Sequence, residues 1–574
     1  MHYLSQTSEN PTHMNQNFLR ALPLAVLAAA LQVNAQERYL SEVFTNAQVI
    51  TQPNVSYGVN IDFLTSDFSN PANYGPEVTE LQTAVSTSQP IPAVYFNIAD
   101  PSTVVKVADL KMDIYQPDQS VDSETARPIF IFVHTGIALP PPLNGSPNGT
   151  KTDSSAVEVC KRMARRGYVA VSMDYRNGWN PLGTSVEERR GTLLNAIYRA
   201  VHDVKQCVRS LKANAATYAL DPNKVILYGE GTGGYITLAV ATLDEPSELF
   251  IPKFVPDPFQ PNVSYIDTNT VGNIDGFNGA LNLYRTNGQN SDVNFCVNAG
   301  GALADTSWLA PGDVPMVAFH TVFDPFAPFS QGIVIVPTTG EQVVEVQGSN
   351  VFMKLANDYG NNNSFSTLPG GDAWTDRARS LYGSTQTHVG GSVTINTGTE
   401  GLFPMVTPDW PGLAVAPFEE ASPWQWWDPN GALAQVVVAP GPPPVTAGQA
   451  SQASNPNFSG TKGRAYIDTI MGYMNPRIVC ALELGPCAVG IDENDPIAIG
   501  VEMAPNPAHD IVRINSANAV IRMVEVYDVN GRRVSAENVE NIAFTLQRNG
   551  LKAGAYFVVL TFDQGTVTRK LMLD

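Results

Sequence analysis

The sequence predicts an α/β protein, a mostly parallel sheet covered by helices, followed by a small all-β sandwich. Three observations carry that reading. Short, almost wholly apolar runs alternate with helical stretches from Leu110 onward, the pattern of strands buried on both faces of a helix-covered sheet. One such run, residues 224–228 (KVILY), passes straight into the glycine-rich segment 229–234. Beyond Pro505 the pattern changes to short stretches of period two, punctuated by turn residues, as in a small sandwich.

In order along the chain, residues 36–109 are rich in Asn, Ser, Thr and Pro, with a strand-like run at Ala93 to Phe96. Residues 110–115 (LKMDIY), 128–134 (PIFIFVH) and 168–174 (YVAVSMD) read as strands. Residues 155–166 and 193–213 have helical periodicity, residues 235–241 read as a helix after the glycine-rich turn, and 315–320 (PMVAFH) is a later strand. Residues 362–427 are Gly- and aromatic-rich and read as a cap or elaborated loop region. Residues 439–460 read as a flexible Pro-rich stretch. Residues 464–484 are helical again, with Pro476 expected to kink or divide the helix. The last segment offers strands at 510–514, 521–527, 556–562 and 567–573, with turns at Asn530-Gly531 and Gln564-Gly565.

A chain of 574 residues is too long for one small core. Lys and Arg number 34 against 54 Asp and Glu, a formal net charge of −20. That sign repels phosphate backbones and anionic lipid, so nucleic acid is not an expected partner. Arg20, the apolar residues 21–31 and Val33-Asn34-Ala35 form the charge-apolar-small order of a secretory signal peptide, with Met14 as an alternative start. The mature chain is expected to carry no transmembrane anchor. Among Cys160, Cys207, Cys296, Cys480 and Cys487, the last two are close in sequence and form the best candidate disulfide. The spacing lacks the clusters of a metal site, and no cofactor is expected.

The C-terminal segment resembles the type A sorting domain of type IX secretion substrates. Pro505-Asn506-Pro507, VYDVNGRRV from Val526, LKAGAYFVVL from Leu551 and the terminal Arg569-Lys570-Leu571 carry the likeness. The resemblance implies recognition by the type IX secretion machinery, then release or surface attachment. The central region resembles carboxylesterase and acetyl-esterase-like α/β-hydrolases through five ordered pieces. They are LKMDIYQP at Leu110, FVHTG at Phe132, GYVAVSMDYR at Gly167, LDPNKVILYGEGTGG at Leu220 and FHTVFDPFAPF at Phe319. The expected division is therefore 1–35 signal peptide region, 36–487 hydrolase-like domain with an N-terminal extension and cap-like insertion, 488–500 linker and 501–574 sorting domain.

Ester hydrolysis in this fold needs a hydroxyl on a strained G-x-S-x-G turn, a histidine to take its proton, a carboxylate to orient the histidine, and backbone donors for the oxyanion. Here the turn reads Gly229-Glu230-Gly231-Thr232-Gly233, which puts Gly231, with no side chain, at the nucleophile position. Thr232 supplies a hydroxyl one residue later, at the cost of a β-branched side chain in strained geometry. Asp324 stands where the resemblance implies the acidic triad member. After Asp324 only His388 and His509 remain, and His509 lies in the sorting domain, so His388 is the candidate base by elimination, though it reads more as a loop residue. Residues 400–404, the stretch most like the family's histidine loop, contain none. His134, Thr135 and Gly136, with Thr232, stand where the resemblance implies the oxyanion hole.

With nucleophile and base both altered, the leading expectation is an exported hydrolase-fold binding protein, or pseudoenzyme. Its ligand would be ester, glycan or lipid in character. An active esterase using Thr232 and a surface adhesion protein are the alternatives. Trp410, Trp424, Trp426, Trp427, Phe403 and Phe418 either line a cleft or pack a cap onto the sheet. The turn Met173-Asp174-Tyr175-Arg176 reads as structural.

Overall fold

The computed structural model describes residues 38–574 except 337–339, 369–371, 389–390, 408–419, 486, 488–499, 518, 529–531 and 563–564. The signal peptide region, residues 488–499 of the linker, Trp410, Phe418 and the turn residues Asn530, Gly531 and Gln564 lie outside the described residues.

The central sheet has eight strands. They are β1 (Val49–Ile61), β2 (Val107–Pro117), β3 (Arg127–Val133), β4 (Val169–Met173), β5 (Leu220–Glu230), β6 (Phe295–Ala299), β7 (Met316–Thr321) and, after the hairpins β8 (Gln331–Ile335)–β9 (Gln342–Gln347) and β10 (Thr385–His388)–β11 (Gly391–Thr394), β12 (Leu402–Met405). Their order is β1-β2-β4-β3-β5-β6-β7-β12. β2 runs antiparallel to both β1 and β4, and every pairing from β4 to β12 is parallel.

Because side chains alternate across a strand, each apolar run feeds two cores. Ile129, Ile131 and Val133 of β3, with Val225 and Leu227 of β5, face the helices Val186–Ala213 and Thr232–Thr242. Phe130, Phe132, Ile226 and Tyr228 face the helices Ser154–Arg165 and Gly460–Ala481 on the other side. Phe130 and Phe132 are fully buried, each worth about 1.5–3 kcal/mol relative to exposure.

Several expectations are corrected. Ala93–Phe96 is a short 3-10 turn, not a strand, since it follows Pro92 and closes with a hydrogen bond from Tyr95 N–H to the Pro92 carbonyl. The helix after the glycine-rich turn begins at Thr232 rather than at residue 235. Pro476 does not divide the last helix, which runs unbroken over Gly460–Ala481 with Pro476 and its neighbours Asn475 and Arg477 buried; tertiary packing outweighs one lost backbone bond. Cys480 at its end is bonded to Cys487. Residues 439–460 are not merely a flexible stretch. They contain β14 (Val445–Thr446), which pairs with β13 (Val437–Ala439), and the helix Ala447–Gln452, started by a reciprocal Thr446–Gln449 capping box.

At the C-terminus β15 (Val501–Ala504), β16 (Ile511–Ser516) and β19 (Ala543–Gln547) form one sheet. β18 (Arg533–Asn541), β17 (Ile521–Asp528), β20 (Gly554–Phe562) and β21 (Gly565–Leu573) form another. Val512 and Ile514 from the first sheet share a core with Val524, Val526, Val558 and Leu560 from the second, which gives the sandwich its stability.

Candidate functional site

The site is built where β5 ends. Glu230 is its last residue, Gly231 follows at φ 54° and ψ −115°, and the helix Thr232–Thr242 starts at once. That positive φ suits glycine. A Cβ built on Gly233 would lie 1.9 Å from the Val133 carbonyl oxygen, so glycine there lets the helix pack directly on β3.

Opposite Gly231 runs the loop after β3. A Cβ at Gly231 would fall 2.3 Å from Thr135 Oγ1 and 3.1 Å from Thr135 Cβ. The Thr135 side chain thus stands where a side chain at 231 would begin. Gly136 has φ 123°, and Ile137 and Ala138 follow at φ 49° and 53°, a conformation that is strained for a β-branched residue such as isoleucine. Three bonds hold it: Ile137 N–H donates to Thr232 Oγ1 (2.7 Å), Trp179 Nε1 donates to the Ile137 carbonyl (2.6 Å), and Gly178 N–H donates to the Ala138 carbonyl (2.9 Å). The Thr232 hydroxyl is therefore an acceptor for the loop. The N–H of Thr232, at the first position of its helix, has no intrahelical acceptor.

His134 lies behind this loop, stacked on Tyr175 at 4.4 Å. Its Nδ1 meets the Thr135 carbonyl at 2.6 Å, and burial lowers its pKa. Asp324 follows β7. Its carboxylate accepts from Phe326 N–H (2.8 Å) and Ala327 N–H (3.0 Å), its side chain is 3% exposed, and burial pushes its pKa up to about 7. His320 approaches it, Nε2 to Oδ2 at 3.8 Å, but that nitrogen faces the Ala327 carbonyl at 3.0 Å and Nδ1 faces Ser349 Oγ at 2.8 Å. The contact with a carbonyl puts the proton on Nε2, and burial pushes the pKa down to about 4, so this imidazole is neutral.

These residues open on a cavity of about 340 Å³. Thr135, Gly136, Gly231, Thr232 and Asp324 all line it, whereas His134 and His388 do not. His388, at the end of β10, packs its ring against Phe323 at 5.4 Å. One wall is hydrocarbon, from Leu193 and Ile197 of the helix Val186–Ala213 and Val344 and Val346 of β9. The other is neutral and polar, from Asn144, Asn148, Gln425, Ser451 and Asn455. Ser451 belongs to the helix Ala447–Gln452, hidden in the sequence by its proline-rich approach; the Thr446–Gln449 capping box was the signal that could have revealed it. Of the tryptophans, Trp427 lines the cavity and stacks on Phe458 at 3.8 Å, Trp424 is buried in the core, and Trp426 receives the Arg464 guanidinium.

Behind the polar wall sit two buried acids. Glu230 accepts from Gln425 Nε2 and from Ser155 Oγ (3.3 Å), and burial raises its pKa to about 7. Asp153 accepts from Gly149 N–H (2.7 Å) and Thr150 N–H (3.2 Å), and burial raises it to about 8. With such a raised value the folded chain keeps a proton that the unfolded chain has lost. Stability therefore falls as pH climbs toward the folded pKa. The buried histidines His134, His202 and His320 have lowered values and act in the opposite sense, but only below about pH 6.5. Between about pH 6.5 and 8.5 the chain is expected to lose stability in urea titrations. Asp153→Asn is expected to remove about 1–2 kcal/mol of that loss; an unchanged slope would place the titration elsewhere.

The strand order, the sharp turn at Gly231 and the acid after β7 define an α/β-hydrolase. More particularly, the central domain is an esterase-like member of the BD-FAE family, whose model matches residues 112–335. The final domain is a Por-type secretion system C-terminal sorting domain, matched over residues 502–574. Similar solved structures include Thermogutta terrifontis esterase 2 phosphorylated by paraoxon, with 19% identity over 39% of this chain and 69% of that one and a TM-score of 0.25. The butyrate-bound Est2 from the same Planctomycetes species has 18% identity, covers 39% and 70%, and has a TM-score of 0.25. Its apo form has 18% identity, covers 39% and 70%, and has a TM-score of 0.24. No curated protein matches the chain. Among the described residues no helix is long and apolar enough to cross a membrane. The protein is thus an esterase-related hydrolase fold that carries the signal for export by type IX secretion.

Proposed function

We propose that this exported protein is a pseudoenzyme that binds a ligand in the hydrolase cavity rather than hydrolysing it. The observation that carries the reading is the Thr135 side chain standing where a nucleophile at 231 would begin. Hydrolysis by a serine-type mechanism needs nucleophile and base within hydrogen-bond reach of each other. Gly231 offers no side chain, and no histidine lines the cavity among the described residues. What remains, oxyanion donors and a binding surface, gives roughly 10³–10⁴ over water in the serine protease case. The cavity itself lies in the size range of small-molecule sites, about 300–1,000 Å³.

A second reading rests on Thr232, whose residue lines the cavity. Against it, Thr232 Oγ1 accepts from Ile137 N–H and helps hold a strained loop. The two readings separate in an assay of p-nitrophenyl ester hydrolysis by the purified secreted chain. The binding reading expects at most the residual rate of roughly 10³–10⁴ over water, with no change in Thr232→Ala. Turnover that disappears in Thr232→Ala would establish the esterase.

A further inference from the structure

The charges around the cavity are one-sided. Asp324 is the only ionisable group other than tyrosine among the described residues that line it, with no lysine, arginine or histidine. At about pH 8, where Asp324 is ionised, an anionic ligand would bring a second negative charge beside a buried carboxylate with no cationic side chain among the described lining residues, a costly arrangement in a low dielectric. Asp324 is held by two backbone N–H groups rather than by a cation. Its nearest imidazole, His320, is neutral, and that ring's Nε2 already faces the Ala327 carbonyl. The cavity that the carboxylate lines has aromatic and aliphatic walls, among them Trp179, Trp427 and Tyr235, then Leu193, Ile197 and Val201. Ring faces attract cations, and hydrocarbon walls attract alkyl chains. The net charge of −20 on the chain further raises the local concentration of cations.

Resting on the binding reading above, we infer that the cavity takes a cationic amphiphile. A protonated amine lies against Asp324 and its hydrocarbon body along the wall formed by the helix Val186–Ala213 and β9. The carboxylate that would orient a catalytic imidazole instead serves as the ligand's counter-ion. The neutral amide and hydroxyl wall accommodates any further polar groups without adding charge.

The test is calorimetric titration of the full secreted chain with octylamine, octanol and octanoate. It is done at about pH 8, where an alkyl ammonium is still protonated, and in about 0.15 M salt to screen surface charge. Octylamine is expected to bind at least about 10-fold more tightly than octanol, and octanoate more weakly than either. Asp324→Asn is expected to cost octylamine about 10-fold or more and to leave octanol unchanged. Tighter binding of octanol or octanoate would overturn the inference, as would an undiminished affinity for octylamine in Asp324→Asn. The selectivity series in the unmodified chain decides the matter even where the variant fails to fold. Hydrolysis of p-nitrophenyl octanoate in the same preparation is a separate readout; it would defeat the binding reading itself, whereas a failure of amine selectivity alone would not.

Discussion

Asp203→Ala is expected to destabilise the hydrolase domain by about 3–5 kcal/mol, the usual cost of leaving one member of a buried ion pair without its partner. Asp203 sits on the helix Val186–Ala213 with its side chain 0% exposed, and Arg176 is 2% exposed. Arg176 Nη2 lies 2.7 Å from Asp203 Oδ1, and the Arg176 backbone N–H donates to Oδ2 at 2.8 Å. Tyr284 adds its hydroxyl, donating to Oδ1 at 2.7 Å. Alanine would leave all three donors without that acceptor, in a region that also holds the buried Arg199. Asp203→Asn keeps one acceptor and is expected to cost roughly half as much. The seven tryptophans all precede residue 501, and only Trp374, stacked on Phe557, touches the sorting domain through its ring among the described residues, so the urea midpoint followed by tryptophan fluorescence reports chiefly the hydrolase domain. An unchanged slope would show that stability, not compactness, had moved. The effect reaches the site as well. Gly178 and Trp179, which hold the Ile137–Ala138 backbone, lie two and three residues after Arg176, so ligand affinity is expected to fall even well below the unfolding midpoint.

Most central-sheet strands legible in the sequence are buried on both faces; β6, equally buried, is not legible because its five residues include Asn298 and follow a polar stretch. β3, β4, β5 and β7 are compact apolar runs, and the sheet interior demands such residues. β1 was missed because it is an edge strand with polar residues, Pro53 and two register shifts, between Gln52 and Val55 and between Ser56 and Gly58; edges tolerate what interiors do not. β12 was missed for a related reason, four residues with Pro404 among them at the opposite edge. The site divided in the same way. Gly231, Thr232 and Asp324 were readable because each is fixed by its place just after a strand. The Thr135 contact was not, because it joins loops after different strands and depends on side-chain direction rather than on spacing. The polar wall was masked by proline-rich composition, which signals flexibility only when no capping box or strand pairing follows.

Gly231→Ser is expected to destabilise the chain by about 2–5 kcal/mol and to confer no multiple turnover. Part of the cost is backbone: φ 54° with ψ −115° is sparsely populated by residues other than glycine, at about 1–3 kcal/mol. The rest is steric, because the new Cβ falls 2.3 Å from Thr135 Oγ1, and forced overpacking costs about 1–3 kcal/mol. Thr135→Gly removes only the second term. In the double variant Gly231→Ser/Thr135→Gly the two changes are therefore expected to couple favourably by at least about 1 kcal/mol in a double-mutant cycle. Strict additivity would mean that Thr135 does not occupy that space, and the main support for the binding reading would go with it. The double variant also separates the nucleophile from the base. It would carry a hydroxyl at the turn, facing a cavity lined by Asp324 but, among the described residues, by no histidine. A stoichiometric burst of p-nitrophenol without further release would fit that arrangement, since an acyl group on the new serine could form slowly but not be hydrolysed. Sustained turnover would instead require a base that reaches the turn. His388, held against Phe323 one residue before Asp324, is the side chain whose substitution would then have to abolish it.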